Sequence, residues 1–395
     1  MTPESTNILI INSGSSSIKF SVFTGGLPLQ KVLDGKITRI GLSNCELSYK
    51  NYLSDKTGTR KPGTIPAVSF FANWIGEYLD LTTISAVGHR LVHGMTHHEP
   101  ELITTLLLDE LHKFVSFDPE HLPHEIEMIE SLRASYPELI QIACFDTAFH
   151  HGMPPIAKLL PLPRRFEEMG IHRYGFHGLS YAYLVEELNR VAGRDAANGK
   201  VILAHLGNGA SLAAVKNGVS IDTSMGFTPA SGLVMGTRPG DLDPGLAAFI
   251  IESQMMTPSG FREMINHESG LLGISATSSD MGDLLKIRQT DKRASEAIDL
   301  FCYQVKKWIG SFAAVLGGLD TLVFTGGIGE NAAEIRSLIC TGLEFLGIEI
   351  DQTRNNENVA IVSTPTGRVT VRVIKTNEEL MIAKLVFAKI NNTGN

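Results

Sequence analysis

Long hydrophobic runs are missing from this chain of 395 residues, and no stretch approaches the ~18 apolar residues that a membrane-spanning helix needs. Cysteine is scarce and scattered. Cys45, Cys144, Cys302 and Cys340 form no CxxC pair and have no histidine at ligand spacing, which excludes a zinc ribbon and suits reduced thiols in a cytoplasm. Positive charge is in deficit, with Lys+Arg 34 against Asp+Glu 42 and a net charge of −8, so no nucleic-acid partner is expected. The N-terminus carries Glu4 and has no basic stretch before its first apolar run, unlike a secretory signal. No G-x-x-x-x-G-K-[ST] occurs, which excludes a Walker-type nucleotide site. Low-complexity tracts and Pro/Ser-rich linkers are also absent. With 43% hydrophobic and 19% charged residues the composition is that of a folded globule, and the length predicts two to three domains.

Glycine is what the chain has in excess: 38 residues, against an average near 7%. Many of them fall in turns after apolar runs. Ile8–Ile11 reads as a buried strand, Asn12–Ser17 as a Gly turn, and Ile18, Phe20 and Val22 as the core side of a returning strand. That alternation puts Ser17, Lys19 and Ser21 on the opposite, open face. Residues 201–216 repeat the plan, with Val201–Ala204 as strand, His205–Ser211 as turn and Leu212–Val215 as return. Two such hairpins half a chain apart predict an internal duplication. A third Gly turn, Thr325–Asn331, follows the strand Leu322–Phe324 and precedes a helix beginning at Ala332. Ile298, Phe301, Val305, Trp308, Phe312 and Val315 recur at spacings of three and four, an amphipathic helix closed by Gly317-Gly318. Strands with Gly turns alternating with such helices predict an α/β protein. A domain boundary is expected near residue 150, giving an N-terminal domain 1–150, rejoined by 376–395, and a C-terminal domain 151–375.

Glycine turns let backbone N–H groups approach anionic oxygens, so three of them together point to phosphate binding. Gly327-Ile-Gly-Glu-Asn-Ala332 even satisfies G-x-G-x-x-A, but it lacks the βαβ context of a dinucleotide site. Arg90, within Gly88–Gly94, and Arg238, within Met235–Asp241, are either surface ion-pair formers or planar forks for a carboxylate or phosphoryl group. Asp146, after Ile142–Phe145, is either a structural partner or a carboxylate that holds a metal or orients a nucleophile. His177 is either a structural histidine or a donor to a phosphoryl oxygen. His97-His98 and His150-His151 read as surface pairs, and Met225, Met235, Met255 and Met256 as core filler.

The ordered set Asn12-x-Gly-Ser-Ser-Ser-x-Lys19, GHRLVHG, FDTAFH, RYGFHG, HLGNGAS, DTSMGFTP, MGTR-x-GD-x-DPG, FTGGIGEN and TNEE resembles the acetate kinase family over nearly the whole chain. The resemblance implies two duplicated actin-like (ribonuclease H-like) domains with an interdomain nucleotide cleft. It also implies reversible, direct phosphoryl transfer from ATP to acetate, giving acetyl phosphate and ADP, in a cytoplasmic homodimer that uses Mg2+, with Mn2+ as a substitute. Carried over by motif, Lys19, Ser15, Ser17 and the turn His205, Leu206, Gly207, Asn208 and Gly209 meet the nucleotide phosphates. Gly327, Ile328, Gly329, Glu330 and Asn331 lie beside the nucleotide, and Asp280, Met281 and Gly282 at the nucleoside. Asn12 and Glu378 match the magnesium positions. Arg90 matches the carboxylate-binding arginine and Asp146 the catalytic acid, while His177 and Arg238 match the groups that stabilise the transition state. Val92, His121, Phe176 and Pro229 are the implied acyl-pocket residues.

The sequence departs from the family pattern in three places. Asp118-Pro-Glu-His-Leu-Pro123 stands where the family has A-P-L-H-N-P, so Glu120 and Leu122 alter the substrate segment. Pro229-Ala-Ser-Gly232 replaces P-L-E-G, and Asp280-Met-Gly282 replaces D-M-R. The phosphoryl-transfer residues are intact, whereas acyl chain length and phosphoryl donor stay open. A propionate or other short-chain acyl kinase is the alternative of the same class, and a non-catalytic nucleotide-clamping module the alternative of another.

Overall fold

The computed structural model describes residues 6–14, 17–26 and 28–392, so Ser15 lies outside the described residues. The chain divides into two compact units, Met1–Ala148 with Asn377–Asn395, and Phe149–Thr376. The first holds β1 (Asn7–Ser13), β2 (Ser17–Thr24), β3 (Gln30–Thr38), β4 (Glu46–Asn51), β5 (Lys56–Arg60), β6 (Ile84–Leu91), β7 (Glu101–Leu102) and β8 (Gln141–Phe145). Their order in one sheet is β5-β4-β3-β2-β1-β6-β8-β7. β1 to β5 form an antiparallel meander, and β6 and β8 add in parallel to β1.

Alternation decides which side of this sheet is buried by what. Ile18, Phe20 and Val22 face the helix Ala67–Tyr78, where the Phe20 ring lies 5.1 Å from Phe71 and 5.3 Å from Trp74. The opposite face is not open as alternation alone predicts. Ser21 is fully buried and its hydroxyl donates to Glu379 at 2.8 Å, because the helix Glu378–Asn392 returns from the far end of the sequence and covers that face. Gly88 permits the approach: a Cβ there would sit 2.7 Å from methyl carbons of both Ile382 and Val386. Each of these two buried side chains stabilises the seat by about 1.5–3 kcal/mol.

The second unit holds β9 (Lys200–Leu206), β10 (Ala210–Lys216), β11 (Val219–Thr223), β12 (Thr321–Thr325) and β13 (Thr370–Val373), in the order β11-β10-β9-β12-β13. An antiparallel meander followed by two parallel strands is the same plan as β3-β2-β1-β6-β8, so the duplication expected from the two hairpins holds at the level of topology.

The long amphipathic helix spans Lys292–Leu316, is capped by Asp291 and ends at Gly317 in the left-handed region (φ 69°). Ile298, Phe301, Val305 and Phe312 are buried as the spacing predicts. Val315 is instead exposed and Leu316 buried, since the apolar stripe of a straight helix drifts off a strict three-four spacing. Three further readings are corrected. Gly326–Asn331 is a short helix rather than an extended turn. His150 is buried, not on the surface: its Nε2–H donates to the Phe176 carbonyl at 3.1 Å, leaving Nδ1 to accept from Ser220, and burial lowers its pKa to about 4. Met225 and Met235 are core residues, but Met255 is 92% exposed, because it follows the helix Pro244–Ser253, none of whose side chains is buried. Among the described residues no helix is long and apolar enough to cross a membrane.

Candidate active site

Strand ends build the first cluster. β6 lies between β1 and β8 and runs parallel to both, so Asn12, Arg90 and Asp146 reach one rim at the carboxyl ends of the strands, where open α/β sheets bind ligands. Arg90 Nη1 donates to Asn12 Oδ1 at 3.2 Å, and Nη2 donates to Asp146 Oδ2. The C-terminal helix brings Glu378 to 3.9 Å from Arg90 Nε. Asp146 is wholly buried, whereas 17% of the Arg90 side chain remains exposed to meet a ligand. Burial opposes the guanidinium charge, but Asp146 and then Glu378 outweigh it, so the Arg90 pKa is raised and the charge is permanent.

The predicted acyl-pocket residues of this unit lie close by in the chain. Val92 is buried just beyond the end of β6, with its N–H donated to the Glu125 carboxyl group. His121 caps the helix Leu122–Ser135 and pairs through Nδ1 with Asp118 Oδ1 at 2.8 Å. Lys19 is exposed on β2 directly opposite Asn12 of β1, at a cavity of about 690 Å3 that Lys36 and Glu379 also line. Ser17 is half-buried at the start of β2, and its carbonyl accepts from Gly14 N–H at 2.9 Å.

The second unit assembles the other cluster around the β9–β10 turn. Gly209 marks a close approach: a Cβ there would lie 2.8 Å from Arg238 Nη2 and 3.3 Å from His177 Nε2, so both cationic-capable side chains reach this backbone. Arg238 is fixed by Nη1 donating to the Pro229 carbonyl at 2.9 Å. His177 adopts the left-handed conformation (φ 59°) at the start of the helix Gly178–Ala192, pairs through Nδ1 with Ser211 Oγ at 2.8 Å, and stacks on His205 with centroids 4.3 Å apart. His205 is held in turn by Ser180, which also meets Thr376.

β12 pairs in parallel with β9, which sets Thr325 beside His205 and starts the Gly326–Asn331 helix next to the turn. A cavity of about 410 Å3 opens there. Gly207, Asn208, Asp280, Met281, Gly282, Gly327, Ile328 and Asn331 all line it, together with Ser279, Leu285 and Ala332. Three segments singled out in the sequence thus meet at one pocket whose size suits a small-molecule ligand. Other candidates take different places. Leu206 and Phe176 are buried in the core, Gly329 is buried, and Glu330 turns inward, its carboxylate accepting the N–H groups of Gly326 and Thr376.

Sequence reasoning missed Arg336. Its guanidinium is fully buried and donates to the carbonyls of Gly329 and Glu330 at 2.9 and 3.2 Å, and to Asn355 and Asn358, so it ties down the end of the helix that lines the pocket. An arginine in a helix following a Gly turn carries no local signal for this. Tyr181 was also missed, although its position four residues after His177 sets it on the same helix face, where its hydroxyl meets Ser211 Oγ.

No group of three or more His, Cys, Asp or Glu side chains is placed to hold a metal ion among the described residues. Asn12 and Glu378 nevertheless offer oxygen donors at Arg90. One carboxylate and one carboxamide, completed by phosphate oxygens and water, is the donor set Mg2+ takes in phosphoryl-transfer sites.

Known proteins supply the remaining evidence on what this chain resembles. The Acetokinase family matches residues 7–384. An acetate kinase of Rhodopseudomonas palustris (strain TIE-1) is 42% identical over 394 residues, covering 96% of this chain and 97% of that one. The crystal structure of Porphyromonas gingivalis acetate kinase superposes with a TM-score of 0.87 at 34% identity, over 98% of this chain and 100% of that one. A propionate kinase from Francisella tularensis gives a TM-score of 0.90 at 36% identity, over 96% and 98%.

Proposed function

Because the chain belongs to the acetokinase family, we propose that it moves a phosphoryl group reversibly between ATP and the carboxylate of acetate, forming acetyl phosphate and ADP in one in-line step. The observation that carries this reading is the convergence of Arg238 and His177 on Gly209, beside the pocket lined by Gly207, Asn208 and the Gly326–Asn331 helix. Phosphoryl transfer asks a protein for positioning and for neutralisation of charge, and the two clusters supply these.

The unit Phe149–Thr376 takes the nucleotide, with its nucleoside in the pocket of Asp280–Gly282 and its phosphates at the glycine turn. The other unit takes the acid. Arg90, fixed by Asn12 and Asp146, grips the substrate carboxylate, which is already ionised at neutral pH and needs no base. A carboxylate oxygen attacks the γ-phosphorus as the bond to the β,γ-bridging oxygen breaks, and the electron pair leaves on ADP. Charge on the equatorial oxygens is met by Arg238 Nη2 and by His177 Nε2, the two nitrogens that lie against Gly209. Asp146 acts by orienting Arg90. Asn12 and Glu378 would hold Mg2+, which when bound supplies further neutralisation of phosphate charge.

Propionate as acceptor is the second reading, favoured by the likeness to the Francisella propionate kinase. Trapping acyl phosphate as hydroxamate separates the two. Under the first reading acetate with ATP gives the higher kcat/KM and under the second propionate does, and absence of product from acetate, propionate, butyrate and larger acids with ATP, GTP or pyrophosphate removes both.

Assembly as a cytoplasmic homodimer completes the reading. The helix Pro244–Ser253, none of whose residues is buried, and the turn after it expose Leu246, Phe249 and Met255, which supports an apolar partner for this segment. Phe249→Glu is expected to halve the sedimenting mass, and a wild-type protein that sediments as a monomer at micromolar concentration would sink the assignment.

A further inference from the structure

Glu125 is a buried acid in the unit that carries Arg90, and the mechanism above gives it no task. It lies in the first turn of the helix Leu122–Ser135 and is 2% exposed. Its two carboxyl oxygens accept the Val92 N–H at 3.1 and 3.2 Å, two residues beyond Arg90. Its own N–H donates to the His121 carbonyl at 3.2 Å. The group therefore links a residue of the acyl-pocket reading, Val92, to another, His121, by direct bonds.

The charges that face it come from three elements. The loop before its helix brings Asp118, 3% exposed, whose Oδ1 is held by His121 and whose Oδ2 is buried with no hydrogen-bond partner among the described residues. β6 brings Arg90, with His93 buried just beyond it, and the end of β8 brings Asp146. The helices Ala67–Tyr78 and Thr105–Phe114, packed on the same helix, turn only apolar side chains into the core, and β1 contributes the uncharged Asn12 and Ser13. Burial raises the Glu125 pKa, as does Asp118, and these outweigh Arg90 and the Val92 N–H, which act the other way. A position near a helix N-terminus favours the anion as well, though weakly.

We propose that Glu125 is a positioning residue that sets the affinity for the carboxylate substrate through its own charge. Carrying its proton, it pins the Val92 amide and leaves the Arg90 charge to the incoming acid. Without its proton, it adds a buried anion beside Arg90 that repels that acid. The inference rests on the carboxylate-kinase reading.

The carboxylate KM of the wild-type enzyme is then expected to rise about tenfold or more as alkaline pH removes the Glu125 proton, with the nucleotide KM unchanged within about twofold. Glu125→Gln keeps an oxygen for the Val92 N–H and cannot ionise. Its neutral-pH KM is expected within about threefold of wild type, with the alkaline rise gone. Glu125→Ala loses the pin and raises the carboxylate KM at every pH. A wild-type enzyme with no alkaline rise, or a Gln variant that keeps it, would overturn the inference while leaving the kinase reading intact. Wild-type protein inactive on every carboxylate would overturn the kinase reading and this inference with it.

Discussion

Replacing Arg238 by alanine lowers the single-turnover rate of phosphoryl transfer about 10³-fold or more, while the nucleotide KM stays within a few-fold. The asymmetry follows from where the side chain is held. Nη1 is engaged with the Pro229 carbonyl, which fixes the guanidinium plane, and Nη2 lies against Gly209 at the turn assigned to the phosphates. A donor fixed before the reaction interacts most strongly with charge that develops only in the transition state, and so contributes to rate more than to ground-state binding. Arg238→Lys restores a charge but not a fork that can satisfy Pro229 and a phosphoryl oxygen together, so its recovery is partial. Rapid-quench measurement with radiolabelled ATP decides the point. An alanine variant within a few-fold of wild type in single turnover would remove Arg238 from the chemistry.

Arg90→Ala has two large effects that can be separated. The carboxylate kcat/KM falls by about 10²–10³, the loss expected when one partner of a buried, charge-assisted contact is removed. Stability falls as well, because wholly buried Asp146 is left without the cation that compensates it, and such an orphaned charge costs about 3–5 kcal/mol. The double variant Arg90→Ala/Asp146→Ala should regain part of the denaturation midpoint and none of the activity. Urea unfolding alongside steady-state kinetics checks both. If the double variant were no more stable than Arg90→Ala, the pair would not be the electrostatic unit described here.

How much of this was legible in the sequence depends on the range of the contact. The hairpins β1–β2 and β9–β10 follow from alternation and a Gly turn within about twenty residues, and their shared pattern was enough to expect a duplicated α/β architecture. The helix Lys292–Leu316 was readable for the same reason, down to its glycine cap. The pairing of Arg90 with Asp146 was not, because 56 residues and a parallel crossover separate them; only the family resemblance pointed to both. Ser21 was misread since what covers it is a helix some 350 residues away, and His150 since its adjacency to His151 says nothing of Ser220. Glu330 illustrates the opposite limit. The FTGGIGEN motif marks the right segment, but a short helix turns that carboxylate inward onto backbone N–H groups while Gly327, Ile328 and Asn331 face the pocket.

The departure at Asp118-Pro-Glu-His-Leu-Pro123 gains a physical meaning in the structure. Asp118 is buried, paired with the half-buried His121, and raises the pKa of Glu125, so the segment bears on the charge around Arg90. Affinity for the acid is thereby tied to proton occupancy in this chain.

The most direct measurement is the stereochemical course at phosphorus. With ATP made chiral at the γ-phosphorus by oxygen isotopes and acetate as acceptor, a single in-line transfer inverts the configuration in the acyl phosphate. Inversion is the predicted result. Retention would require two displacements through a phosphorylated side chain, and would contradict direct transfer from nucleotide to carboxylate.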